Sequence, residues 1–428
     1  MPRQISTALF LVCLCGAAHA QTLVAPVVEN PVVENLASPV SQRFLKAIYA
    51  RNVWDLQIFD GRLYVGTGNS SNGGPSSNAG PVPIWSRDLA KGEWKSEFIV
   101  DDEQIDGFRV LDGKLSIPGH DPRDDWSKGN FYQLEAGGWK KTRTIPNGIH
   151  TYDMAFFAGQ LWGALGTQGN YQLASSGDGG QSWRTHETTG GRTYTLQVFE
   201  DHLLCWGMVP SSKVTQRIAE MKDEKSRAET QQWLRWSAYE VAPDQTLTAR
   251  ADLSREVLFP GATAETSWAK LVRPIVFKDQ LLYIGGAVYN DHQTDPFGVY
   301  AAASLRAEKV QTRRIELGAD EKPWDIEVRD GRAYILTSRK IARDAVKPDG
   351  GADEFQISVW GSQDAKTWTR TLQFIQPTFA RSLAVDGRDF YFGLGTDVGP
   401  GWEKQGLHSY TRDLRPEAGS ILRVRLTR

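Results

Sequence analysis

A short alternation of apolar and polar positions, a tight turn and a second apolar run recur seven times along the chain. The copies read VWDLQIFDGRLYVGTGN (53–69), DGFRVLDGKLSIPGHD (106–121), YDMAFFAGQLWGALGTQ (152–168), YTLQVFEDHLLCWGMV (194–209), RPIVFKDQLLYIGGAV (273–288), WDIEVRDGRAYILTS (324–338) and RSLAVDGRDFYFGLGTD (381–397). Asp-Gly between alternating apolar runs specifies a two-residue hairpin, because both corner residues need positive φ. The corners are expected to begin at Asp60, Asp112, Ala158, Glu200, Lys278, Asp330 and Asp386.

One hairpin in roughly every fifty residues points to propeller blades rather than a helical solenoid. Two outer strands follow each hairpin, such as Val82–Trp85 with Trp94–Val100, and Tyr171–Ser175 with Ser182–Thr188. The expected fold is therefore all-β, a seven-bladed β-propeller over residues 43–428, with six or eight blades as the competing count. After the last hairpin only one strong strand remains, Ser420–Leu426. An N-terminal strand, Arg43–Tyr49, is expected to complete the last blade and close the ring. The long fourth interval holds an insertion at about 211–236, where Val214, Ile218 and Met221 share one face of an amphipathic helix.

Residues 1–20 read as a signal peptide: Arg3, an apolar run from Leu9 to Gly16, and a small-x-small site at Ala18-His19-Ala20. That run is too short to span a bilayer, and residues 21–42 read as a flexible lead-in. The protein is expected to be exported, secreted or periplasmic, and to act as a monomer. Two of the three cysteines leave with the signal, so Cys205, in an apolar run, is expected to be a core thiol. A net charge of −2 argues against nucleic acid as a partner.

In a propeller, the start of each innermost strand and the end of the next strand reach the same face, around the central channel. That rule gathers Trp54, Asn69, Arg109, His120, His150, Tyr152, Arg192, Tyr194, Arg273, Tyr289, Trp324 and Arg381, together with His292, Lys270 and Asp121. Five positions before the corner stand Asp55, Gly107, Asp153, Thr195, Arg273, Asp325 and Arg381. The recurring aromatic-Asp pairs (Trp54-Asp55, Tyr152-Asp153, Trp324-Asp325) read first as a structural device, the carboxylate capping backbone amides. The convergent arginines fit an anionic ligand, since guanidinium holds carboxylate or sulfate in a fork. Their bland alternative is pairing with neighbouring aspartates.

Ser176-Gly-Asp178-Gly-Gly180-Gln-Ser-Trp183, and less completely Ser362-Gln-Asp364-Ala-Lys-Thr-Trp368, resemble the Asp-box (BNR) turn of sialidase-like propellers. The resemblance implies the fold and not the activity. The Arg-Ile-Pro motif of sialidases is not found, and Arg273-Pro274-Ile275 has another order. The mature chain is also similar to secreted bacterial propellers that include ulvan-type polysaccharide lyases, through the blade pattern, His120 and His150-Thr-Tyr-Asp153. That likeness implies propeller-face histidines, a tyrosine and a basic residue acting on a polysaccharide.

Elimination at a uronate needs a cation to neutralise the carboxylate, a base for the adjacent C–H, and an acid for the leaving oxygen. His150 suits the base, Tyr194 the acid with its pKa lowered by nearby cations, Arg192 the neutraliser, and His120 a second base or orienter. Lys213, at the start of the insertion, is a substitute neutraliser. The leading reading is an exported propeller that binds an anionic polysaccharide and cleaves it by β-elimination. A non-catalytic carbohydrate- or protein-binding propeller is the alternative. A glycoside hydrolase using Asp55, Asp153 and Asp325 comes third. No cofactor and no catalytic metal are expected, and calcium in the Gly68–Gly80 loop would be structural only. Nucleophile-elbow, zincin, Walker and Rossmann motifs are not found.

Overall fold

The structure, a computed structural model, describes residues 27–40, 48–69, 80–167, 171–188, 191–233, 238–262, 268–288, 294–341, 354–396 and 417–427. The expected signal peptide, Tyr289, His292 and most of the Gly68–Gly80 loop lie outside these residues.

Seven sheets, antiparallel but for one short parallel edge strand, form a β-propeller. Their innermost hairpins are Asp55–Phe59 with Arg62–Gly66, Arg109–Leu111 with Lys114–Pro118, and His150–Phe157 with Gln160–Gly166. Thr195–Phe199 with His202–Trp206, Trp268–Phe277 with Gln280–Val288, Lys322–Arg329 with Arg332–Ile341, and Ala380–Asp386 with Asp389–Leu394 follow. We call these blades 1 to 7. Positive φ at Asp60-Gly61, Asp112-Gly113, Ala158-Gly159, Glu200-Asp201, Lys278-Asp279 and Asp330-Gly331 makes six of the corners. Apolar clusters between blades, such as Tyr64, Phe108 and Tyr132 between blades 1 and 2, bury the broad blade faces.

Three expectations need correction. The ring is closed by an N-terminal strand, but by Val33–Asn35, which pairs with Ile421–Arg425 in blade 7. Residues 43–47 of the expected strand lie outside the described residues, and its end falls in a 3-10 turn, Ile48–Arg51. The lead-in is thus partly built into the ring, and Val28–Glu29 adds to the outer edge of blade 6. The seventh corner is Gly387-Arg388, because Asp386 pairs with Asp389. Arg381 therefore aligns with Trp54, Tyr152, Tyr194 and Trp324, one place before the Asp position, and Ser382 aligns with Asp55. The insertion holds two helices, α1 (Ser212–Ala219) and α2 (Glu224–Trp233), rather than one; Ile218 is buried.

The position five before the corner, with Arg109 in place of Gly107 in blade 2, forms a belt that ties neighbouring blades. Asp55 accepts from Phe108 N at 2.7 Å, Asp153 from Leu196 N at 2.9 Å, and Asp325 from Leu383 N at 2.9 Å. Thr195 Oγ1 donates to Leu271 O at 2.8 Å and Ser382 Oγ to Val53 O at 2.9 Å. The two remaining junctions use arginine: Arg109 grips Asp153 with two bonds of 2.7 and 3.1 Å, and Arg273 Nε lies 3.5 Å from Asp325. Every junction of the ring thus carries a polar tie beside the channel. Cys205 is buried in the core, and burial pushes its thiol pKa up.

Candidate functional site

The face at the start of the innermost strands opens into a cavity of ≈ 500 Å³. Trp54, Asn69, Arg109, His120, His150, Tyr152, Arg192, Tyr194, Arg273, Trp324 and Arg381 all line it. Lys213 does not; it is exposed on α1.

Local backbone irregularities aim several of these side chains. Tyr152, Trp324 and Arg381 are each the extra residue of a β-bulge, between Thr151 and Asp153, Pro323 and Asp325, and Ala380 and Ser382. A bulge turns its extra side chain out of the pleat, here toward the channel mouth. His120 arrives by another route. The segment leaving blade 2, His120–Pro122, lies along the inner edge of blade 3 and pairs His120 directly with His150. Asp102–Gln104 continues this edge on the other side of His120.

The result is a tight aromatic and basic cluster. The His120 and His150 ring centroids are 5.7 Å apart, and Tyr152 lies 5.2 Å from the first and 5.1 Å from the second, stacked on it. Tyr194 is 4.4 Å from Tyr152, whose hydroxyl accepts from Arg192 Nη1 at 2.7 Å. Asp121 adopts φ 59°, and its Oδ1 lies 2.5 Å from His150 Nδ1. Gly166 leaves the space these rings occupy: a Cβ there would stand 2.7 Å from Tyr152 and 2.9 Å from His150.

Burial lowers the His120 pKa, against the opposing pull of Asp121 and Asp106. At Tyr152 burial, helped by Tyr194, raises the pKa well above 10, and burial raises that of Tyr194 too. Arg192 works against both shifts and does not overcome them. The expectation of a cation-lowered tyrosine is thus reversed, because the rings lose more hydration than one guanidinium restores. Both phenols stay protonated at neutral pH, which suits a proton donor. Asp121 is held below the ordinary carboxylate range: burial opposes ionisation, but His150, His120 and Arg192 outweigh it.

The arginines divide into two groups. Arg109 is committed to Asp153, and Arg273 crosses the channel to Asp55 (2.9 Å), Asp325 and the Trp54 carbonyl. These two, expected as ligand contacts, act as ties; the aspartates they hold are the ones the glycoside-hydrolase reading required. Setting those pairs aside, the lining keeps Arg192, Lys270 and Arg381 against Asp106 and Asp121. Lys270, its pKa lowered by burial, lies 5.4 Å over the Tyr194 ring. Donor atoms of His120, Asp121 and His150 lie within 4.8 Å of one another, a set whose chemistry suits a divalent transition metal. Sequence reasoning missed Tyr49, Gln104, Asp106 and Met208 in the lining; of these Asp106 stands six residues before the blade-2 corner, in the column of Trp54 and Tyr152, and was readable from the repeat.

No family model and no curated protein matches the chain. Among solved structures it is similar to virginiamycin B lyase from Staphylococcus aureus, at 10% identity and TM-score 0.47, over 92% of this chain and 99% of that one. It is also similar to YCF48 bound to D1 peptide, at 11% identity and TM-score 0.45, over 94% and 99%. Among the described residues no helix is long and apolar enough to cross a membrane.

Proposed function

We propose that this is an exported propeller that binds an acidic polysaccharide at the channel mouth and cleaves it by β-elimination at a uronate. The observation that carries the reading is the gathering of an imidazole pair, two protonated phenols and Arg192 in one cavity. With its Nδ1 held at Asp121, His150 presents Nε2 as the base that removes the proton beside the carboxylate. Arg192 offsets the charge that develops on that carboxylate as the C–H breaks. The electron pair then forms the carbon–carbon double bond and expels the glycosidic oxygen, which takes the Tyr194 proton. One chain end carries an unsaturated uronate and the other a hydroxyl, so atoms and electrons balance without oxidant or reductant. Three cations, Arg192, Lys270 and Arg381, facing two carboxylates, Asp106 and Asp121, support an anionic ligand.

Purified protein incubated with a panel of uronate polysaccharides should yield the unsaturated product, seen by its ultraviolet absorbance. His150→Ala should lower the rate by about 10²–10⁴. Absence of product with every polymer, with binding retained, would leave the non-catalytic binding propeller as the reading.

A further inference from the structure

Among the described residues Arg381 is the one cation of the cavity held between tryptophans. It occupies the bulge position that carries an aromatic ring in blades 3 and 6. Its guanidinium lies 4.2 Å over Trp54, 5.1 Å over Trp324 and 5.6 Å over Phe379. Trp324 and Phe379 stack at 4.3 Å, and Trp54 is fixed through Nε1 to Gly68 O at 2.7 Å. The clamp is therefore rigid and prebuilt. Among the described residues Arg381 makes no hydrogen bond and no ion pair, and its Nε is buried without an acceptor. The Nε1 of Trp324, whose ring lies 5.1 Å from that guanidinium, is buried without an acceptor as well. A guanidinium and an indole N–H left unsatisfied together are costly unless an acceptor arrives. Burial brings the Arg381 pKa down to about 10, so the charge is kept at neutral pH but poorly hydrated.

We infer that Arg381, clamped by Trp54 and Trp324, is an oxyanion site of the cavity distinct from Arg192, with the Trp324 N–H as its second donor. Arg381 lines the cavity, where a carboxylate or sulfate oxygen can accept bidentate bonds from a guanidinium. Resting on the polysaccharide reading, the bound chain then carries an acidic group here in addition to the one at Arg192. The preferred ligand is a polyanion rather than a chain with a single uronate.

Inorganic sulfate and acetate, titrated separately at constant ionic strength against chloride, probe the site without any saccharide. The readout is intrinsic tryptophan fluorescence, with the 15N side-chain signal of Arg381 Nε as a direct check. Wild type should saturate with at least one anion, and the tighter one identifies the group. Arg381→Gln should abolish saturation. Trp324→Phe, which keeps an aromatic ring in the stack but loses the indole N–H, should weaken it several-fold and guards against a folding defect in the first variant. Saturation unchanged in both variants, or no saturation in wild type, overturns the site. With oligouronates, KM in Arg381→Gln should rise about tenfold more for a tetramer than for a dimer. Failure of every saccharide to bind would end the polysaccharide reading, while the anion titration still decides Arg381.

Discussion

His120 faces His150 as a direct antiparallel pair, although His120 belongs to the segment leaving blade 2 and His150 opens the innermost strand of blade 3. Their contact depends on three residues, His120–Pro122, crossing from blade 2 to the edge of blade 3. The cluster around Tyr152 is thus shared between two blades and fixed by main-chain pairing, which gives it the rigidity a proton-transfer site requires.

The His150–Asp121 contact sets the first prediction. Asp121→Asn keeps the volume but removes the charge that holds the Nδ1 proton, so kcat should fall about 10²-fold or more. The pH profile separates this from a loss of structure. Tyr152 and Tyr194, raised above 10, keep their protons through the neutral and mildly alkaline range. The wild-type rate should show no alkaline decline below pH 10 from these phenols, whereas phenols with lowered pKa would cut activity earlier.

Arg273→Met should destabilise the fold strongly. It removes the cation between Asp55 and Asp325 and leaves two buried carboxylates uncompensated. Breaking a buried pair this way costs about 3–5 kcal/mol, readable as a lowered denaturation midpoint. Arg192→Met, which removes a bond to the neutral Tyr152 phenol, should cost clearly less.

Glu327 gives the stability curve a defined slope. Burial, with Asp325 and Asp55 adding repulsion, raises its pKa to about 8 from an ordinary 4.5. The folded state therefore holds a proton that the unfolded state releases above 4.5. The associated stability is full below 4.5 and is lost as pH rises to about 8. Glu327→Gln should match wild type in Tm at pH 4 and exceed it increasingly up to pH 8, with a constant gap beyond. A gap that shrinks with rising pH would contradict the assignment.

The fold was legible because six of its corners carry Asp-Gly or an equivalent pair in register with alternating strands, and that local chemistry survives in one dimension. The seventh misled for the same reason. Asp386-Gly387 reads like the others, yet the turn is displaced to Gly387-Arg388, which moved Arg381 out of the aromatic column where the structure puts it. The closing strand Val33–Asn35 is too short to show periodicity. The commitment of Arg109 and Arg273 to aspartates was equally hidden, since Asp55 and Arg273 are 218 residues apart and meet only across the channel. The aspartates' structural role was readable from their recurrence; the reversed tyrosine pKa values were not, because burial of Tyr152 and Tyr194 is a property of the closed ring.

Gly166 offers the cleanest test of whether the ring cluster, rather than the cavity alone, performs chemistry. It lies in the second strand of blade 3 with ordinary backbone geometry, so alanine there strains nothing locally. The new methyl would nevertheless approach Tyr152 Cε2 to 2.7 Å and His150 Cδ2 to 2.9 Å, distances that force both rings to shift. A displacement on the order of 1 Å at reacting groups costs about 10²-fold in rate. Gly166→Ala should therefore lose kcat while retaining polymer binding at Lys270 and Arg381, and Tm should drop by only a few degrees. Equal losses of binding and kcat would indicate that the histidine–tyrosine cluster only shapes the cavity. Loss of kcat alone would place the chemistry on His150 and its ring partners.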